Sequence, residues 1–235
     1  MLGIRDSGFK IPVEGLLLYW DASQLRSFVS GTRQINNLME NQTFTGSFFS
    51  GSSGIFPFYT GSGGGAIYIT QQANPAAGVV SSQFTASVSS STIVTFTRRV
   101  GAQFADVPIV QAFGPTTGIA ITYFAAGNSV NLIWAQGLFR DGSAPFLTSS
   151  LYYMVAGSGT ATSQKLYINK TVFNFSASRT VPVSVTRASM GTSNVGSSTN
   201  YQGDVALMLL YNRQLSDAEV FQIYDSFKPR FPNLP

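Results

Sequence analysis

Short apolar runs, each closed off by Gly, Ser, Asn or Pro, recur from one end of this sequence to the other. Runs of this length suit half-buried strands, and their regular return predicts a β-sandwich or barrel. The candidates are Leu16 to Trp20, Ala66 to Thr70, Thr92 to Thr97, Ile109 to Phe113, Ile119 to Phe124, Val130 to Trp134, Tyr152 to Ala156, Lys165 to Ile168, Val172 to Phe175, Val181 to Thr186 and Val205 to Tyr211. In Thr92 to Thr97, Val94 and Phe96 share one face while Ile93, Thr95 and Thr97 share the other, the two-residue period of a strand.

One segment carries a helical period instead. Ser216-Asp217-Ala218-Glu219 fits a capping box, with Leu215 and Val220 placed as a hydrophobic staple. Val220, Ile223, Tyr224 and Phe227 then form one apolar stripe, and Lys228-Pro229 supplies the stop. A single short helix laid on a sheet is therefore expected near the C-terminus. Asn169-Lys170, between two apolar runs, reads as a tight hairpin turn. Thr45 to Gly65 is rich in Gly and Ser and reads as long loops anchored by Phe48, Phe49, Ile55, Phe56, Phe58 and Tyr59. No repeat or linker divides the 235 residues, so one domain is expected.

Composition narrows the chemistry. There is no cysteine and no histidine, which removes disulfides, thiolate metal sites, thiol nucleophiles and the commonest general base. Only 10% of residues are charged, and from Asn41 to Thr97 there is no Asp, Glu, Lys or Arg. Polar residues break every apolar run well short of the roughly 20 residues of a spanning helix, so no membrane segment is expected. Arg5, Asp6 and Lys10 stand where a secretory signal would need an apolar core, so no cleavable targeting segment is expected and the chain is expected to be released into the cytoplasm that makes it. The formal charge of +4 is scattered singly apart from Arg98-Arg99, which does not suggest nucleic acid.

The two ends of the chain resemble a known family. GLLLYWDAS (15 to 23) is similar to the opening of concanavalin A-like, laminin-G-like jelly rolls of phage and bacterial proteins. GDVALMLLYNRQLSDAEVFQIYDSF (203 to 227) resembles their closing strand and helix, with Asn212, Ser216 and Glu219 in its motif and Trp20 and Asp21 in the opening one. KLYINK (165 to 170) resembles the family's hairpin with Lys170 in place of its glycine, and GGGAIYIT (63 to 70) its early strand. The resemblance implies an all-β, two-sheet antiparallel jelly-roll sandwich over 14 to 228 with one short C-terminal helix. An N-terminal arm, 1 to 13, and a C-terminal tail, 229 to 235, would flank it. The same fold carries lectins, glycosidases, adhesion modules and virion proteins, so function rests on the site.

Glycosidases need two carboxylates about the scissile bond. Glu14, Glu40 and Glu219 are dispersed, and no two of the aspartates are two residues apart, so no enzyme and no cofactor is expected. Asp21 either ligates calcium or, as we favour, bonds backbone amides at a strand end. Asp141-Gly142-Ser143 reads as a turn. The sequons at Asn41, Asn169 and Asn174 read as coincidence. Tyr59, Tyr68, Tyr123 and Trp134 could form a sugar-stacking platform.

A charge-poor surface suits burial against neighbours. The first expectation is therefore a non-enzymatic virion protein, most naturally of a bacteriophage: a capsid decoration or cement protein, or a tail or fibre component. It would be made in the host cytoplasm and take its final place in the virion. Its partners would be other virion proteins and copies of itself, with the arm and tail laid on a neighbour. The alternative is a carbohydrate-binding, lectin-like module for surface or host attachment.

Overall fold

A computed structural model describes residues 10–24, 26–28, 32–39, 45–50, 54, 56–61, 64–70, 77–100, 106–114, 117–125, 129–134, 140–145, 151–192, 201–231 and 234–235. Arm residues 1–9, the sequon asparagine at 41 and the anchor at 55 lie outside the described residues.

The strands are β1 (Leu16–Asp21), β2 (Gln34–Asn36), β3 (Thr45–Phe49), β4 (Phe58–Thr60), β5 (Ala66–Ile69), β6 (Gly78–Ser81), β7 (Ala86–Val88), β8 (Ser91–Arg99) and β9 (Val107–Phe113). They continue with β10 (Gly118–Phe124), β11 (Ser129–Trp134), β12 (Arg140–Pro145), β13 (Tyr152–Gly159), β14 (Gln164–Ile168), β15 (Thr171–Phe175), β16 (Val183–Val185), β17 (Arg187–Met190) and β18 (Gly203–Tyr211), followed by helix α1 (Asp217–Phe227).

Two large antiparallel sheets face each other as a β-sandwich. One runs β15-β14-β13-β8-β18-β5-β4, with β1 also paired to β18, and the other runs β12-β11-β10-β9-β17-β6-β3-β2. Alternation along each strand sends one set of side chains inward. Trp20, Ile67, Ile93, Ile121, Leu132, Trp134 and Met208 fill the space between the sheets. The opposite faces of β1, β8, β13 and β18 carry a second apolar layer, Tyr19, Val94, Phe96, Met154, Leu207 and Leu209, and α1 covers it.

The helix forms as its sequence predicts. The Ser216 hydroxyl accepts from the Glu219 amide and the Glu219 carboxylate accepts from the Ser216 amide, while Val220, Ile223, Tyr224 and Phe227 are buried. Burying side chains of this size stabilises the fold by about 1.5–3 kcal/mol each. Asn169 takes φ +54, the left-handed conformation expected at the hairpin between β14 and β15.

Three expectations are corrected. The segment read as long loops contains β3 and β4, because Phe48 faces inward and is buried while its neighbours point out. Asp141-Gly142-Ser143 lies inside β12, where Gly142 pairs with Leu132 and Arg140 with Ile133, leaving position 141 as the extra residue of a β-bulge. The tail lies on its own domain: Phe231 and Leu234 are buried in the layer under α1. Of the arm, Ile11 joins that layer, the Pro12 carbonyl accepts from the Tyr211 hydroxyl at 3.0 Å, and the Lys10 carbonyl accepts from Ser226 Oγ at 2.6 Å.

Candidate functional site

On the helix-bearing face of the first sheet, cross-strand partners line up over five strands. Phe58 of β4 is opposite Tyr68 of β5, and Tyr68 is opposite Asp204 of β18. Asp204 is opposite Arg98 of β8, and Arg98 is opposite Tyr152 of β13. Partners in such a row lie about 4.5–5.5 Å apart at Cβ, so the five side chains form one continuous band. Its outer end is open: Phe58 is 50% exposed and packs against the half-buried Tyr68 with ring centroids 5.2 Å apart.

The middle of the band is charged. Asp204 is fully buried; its Oδ2 accepts from Arg98 Nε at 2.8 Å and from the Tyr152 hydroxyl at 2.9 Å, and Arg98 Nη2 lies 2.6 Å away. Its Oδ1 makes no hydrogen bond, although a buried carboxylate oxygen ordinarily finds a donor. The Thr97 hydroxyl holds the Asp204 carbonyl at 2.8 Å and lies 3.1 Å from the Tyr201 hydroxyl. Burial pushes the Tyr201 phenol above its ordinary range, so it stays neutral. The band thus offers an aromatic surface beside a part-exposed guanidinium that a buried carboxylate holds in place.

Beta alternation turns Tyr59 the other way from Phe58. At the edge of the sandwich its ring stacks on Phe28 at 5.2 Å, and Phe28 stacks on Phe48 of the opposite sheet at 5.8 Å. The outermost ring, Tyr59, is 43% exposed.

The expected platform of Tyr59, Tyr68, Tyr123 and Trp134 is therefore not one surface. Tyr68 and Tyr59 reach the β4 edge, but Tyr123 and Trp134 are buried between the sheets and offer no ring face outward. Phe58, Asp204 and Arg98 join Tyr68 only through strand register, which no local sequence pattern encodes.

Asp21 is buried, and its Oδ1 accepts from the Ser23 amide at 2.9 Å and the Ser23 hydroxyl at 2.7 Å, the strand-end role expected of it. Arg230 supplies a partner not foreseen: its Nη1 donates to the same oxygen at 2.7 Å and its Nη2 to the Gly65 carbonyl. Of the other motif residues, Trp20 fills the core, the Asn212 amide donates to the Gly15 carbonyl at 2.8 Å, and Ser216 and Glu219 cap α1.

Three further carboxylates among the described residues are also engaged. Asp217 meets Lys165 at 2.7 Å, Asp225 meets Lys170 at 2.7 Å, and Glu219 meets Arg213 at 2.5 Å. Lys165 and the Tyr167 hydroxyl hold the Asp217 carboxyl below its usual range. Among the described residues no group of three or more acidic side chains is gathered as a metal site would require. No helix among them is long and apolar enough to cross a membrane.

By sequence the chain matches no protein-family model and no curated protein. By structure it is similar to domain 4 of AbnA, an extracellular GH43 arabinanase from Geobacillus stearothermophilus solved with arabinotriose. The TM-score is 0.67 and the identity 14%, over 89% of this chain and 98% of that one. It is also similar to the sialidase of Trypanosoma rangeli, with TM-score 0.63 and 12% identity over 91% of this chain and 33% of that one. A third likeness is to botulinum neurotoxin type C, described as depending on two ganglioside molecules for cell entry. There the TM-score is 0.66 and the identity 10%, over 91% of this chain and 51% of that one. The shared property is the β-sandwich. The chain spans about a third of the sialidase and half of the neurotoxin chain, but nearly all of the arabinanase domain.

Proposed function

We propose that this chain is a carbohydrate-binding β-sandwich module that holds a saccharide at the β4 edge without cleaving it. The observation that carries the proposal is the exposed Phe58 packed on the half-buried Tyr68, in register with Asp204 and Arg98. The electron-rich ring faces suit the C–H face of a sugar, and the adjacent Arg98 guanidinium, held by the buried Asp204, suits its hydroxyls. The fold is shared with an arabinanase domain solved with arabinotriose and with a toxin described as engaging gangliosides, which supports a glycan as ligand. Engagement of Asp21, Asp204, Asp217, Glu219 and Asp225 by basic partners favours binding over hydrolysis, which requires a carboxylate free to act as acid or nucleophile.

A place in a virion, within the concanavalin A-like group that the terminal motifs resemble, remains a proposal about where such a module works. Its support is the charge-poor stretch from Asn41 to Thr97; the tail, which lies on its own domain, adds none.

A glycan array probed with the wild type, Phe58→Ala and Tyr68→Ala tests the binding proposal. Truncating a central aromatic anchor typically costs more than about 1.4 kcal/mol, so signals should fall about tenfold or more in each variant with melting temperatures little changed. Signals equal to wild type in both variants, or a blank array for the wild type, would overturn it.

A further inference from the structure

We infer that the β4 edge prefers an acidic saccharide, whose carboxylate is taken by Arg33 held flat on Phe56; this rests on the glycan-binding proposal above. Arg33 immediately precedes β2, the outermost strand of the second sheet, and its carbonyl accepts from the Phe48 amide at 2.8 Å, which fixes its backbone against β3. Its exposed guanidinium lies 3.6 Å from the centre of the Phe56 ring, and Phe56 packs on the core beside the edge where Tyr59, Phe28 and Phe48 stack. Stacking uses the face of the guanidinium and leaves its N–H edge, the side that matches both oxygens of a carboxylate.

Among the described residues, no acidic side chain forms an ion pair with Arg33. Strands β3 to β7 and the connections between them come from the stretch that contains no Asp, Glu, Lys or Arg, and Arg26, on the same connection between β1 and β2, adds to the positive charge. The chain as a whole carries +4. An exposed stacking ring, Tyr59, and an oriented cation thus share one rim of the sandwich. An oligosaccharide that passes from the Phe58–Tyr68 face over the β4 edge to Tyr59, with its carboxylate toward Arg33, would gain charge-assisted hydrogen bonds that a neutral one cannot make.

The probes are immobilised oligosaccharides bearing sialic or uronic acid, each paired with its carboxyl-reduced counterpart and read against wild type, Arg33→Gln and Arg33→Lys. Charge-assisted hydrogen bonds are strong enough that wild type should favour the acidic member about tenfold. Arg33→Gln should bring that ratio close to one; Arg33→Lys should retain only part of the preference, since it keeps charge but not the flat fork. The preference should also shrink as salt rises. Equal binding of acidic and reduced members by the wild type would overturn the acidic preference and leave the glycan proposal standing. A preference that survives Arg33→Gln would overturn the role of Arg33, and no binding to any member would overturn both proposals.

Discussion

Arg230 Nη1 donates to Asp21 Oδ1 at 2.7 Å with both side chains almost wholly buried, joining the segment after α1 to the end of β1. Removing one member of a buried pair strands the other charge. Asp21→Ala or Arg230→Ala should therefore lower unfolding stability by about 3–5 kcal/mol, and the double variant should lose less than the sum. Chemical denaturation of the four proteins measures this.

Acid should weaken the opposite end of β1, where Arg213 joins the Glu14 carbonyl to the start of α1. The Arg213 guanidinium, ahead of the bonds from Ser216, holds the Glu219 carboxyl down at about 2 from an ordinary 4.5, and Lys165 and Tyr167 lower that of Asp217. A folded-state value below the unfolded one gives stability that is complete above about pH 4.5 and lost as pH falls toward 2. Melting temperatures measured from pH 6 down to 2 should fall in that window, and less steeply for Glu219→Gln, which cannot titrate. At neutral pH Glu219→Ala should cost about 1 kcal/mol through loss of the cap.

Strand β13 illustrates what the sequence shows and what it conceals. Its first half, Tyr152 to Ala156, is a continuous apolar run buried on both faces, but the strand runs on through Gly157, Ser158 and Gly159, which carry no strand signature. The reason lies in the facing sheet: a Cβ on Gly157 would come within 2.5 Å of Leu132 Cδ1, and one on Gly159 within 2.7 Å of the Trp134 ring. Gly157→Ala should therefore destabilise the fold by about 1–3 kcal/mol through overpacking, read by thermal melting.

The same contrast governs the site. The core strands and the capped helix announce themselves through local period, as Val94, Phe96 and Ser216 show. Phe58 and Tyr68 sit in a Gly- and Ser-rich stretch, and only the antiparallel pairing of β4 with β5, and of β5 with β18, brings them to Asp204 and Arg98. Trp134 misled for the complementary reason: a large aromatic that could stack on a sugar serves equally well between two sheets, and here it is wholly buried.

Oligomeric state separates a free-standing module from a building block. With Phe231 and Leu234 satisfied within their own domain, the chain should elute as a monomer under light scattering across micromolar concentrations. Concentration-dependent self-association would favour the structural role.

The most direct test of the account is to locate a bound sugar by backbone NMR of the labelled protein, titrated with the strongest oligosaccharide from the array. Shift changes concentrated at Phe58, Tyr68, Arg98 and Asp204, and absent in Phe58→Ala, are predicted. Changes confined to the far edge around β12 and β15, or their persistence in Phe58→Ala, would contradict it.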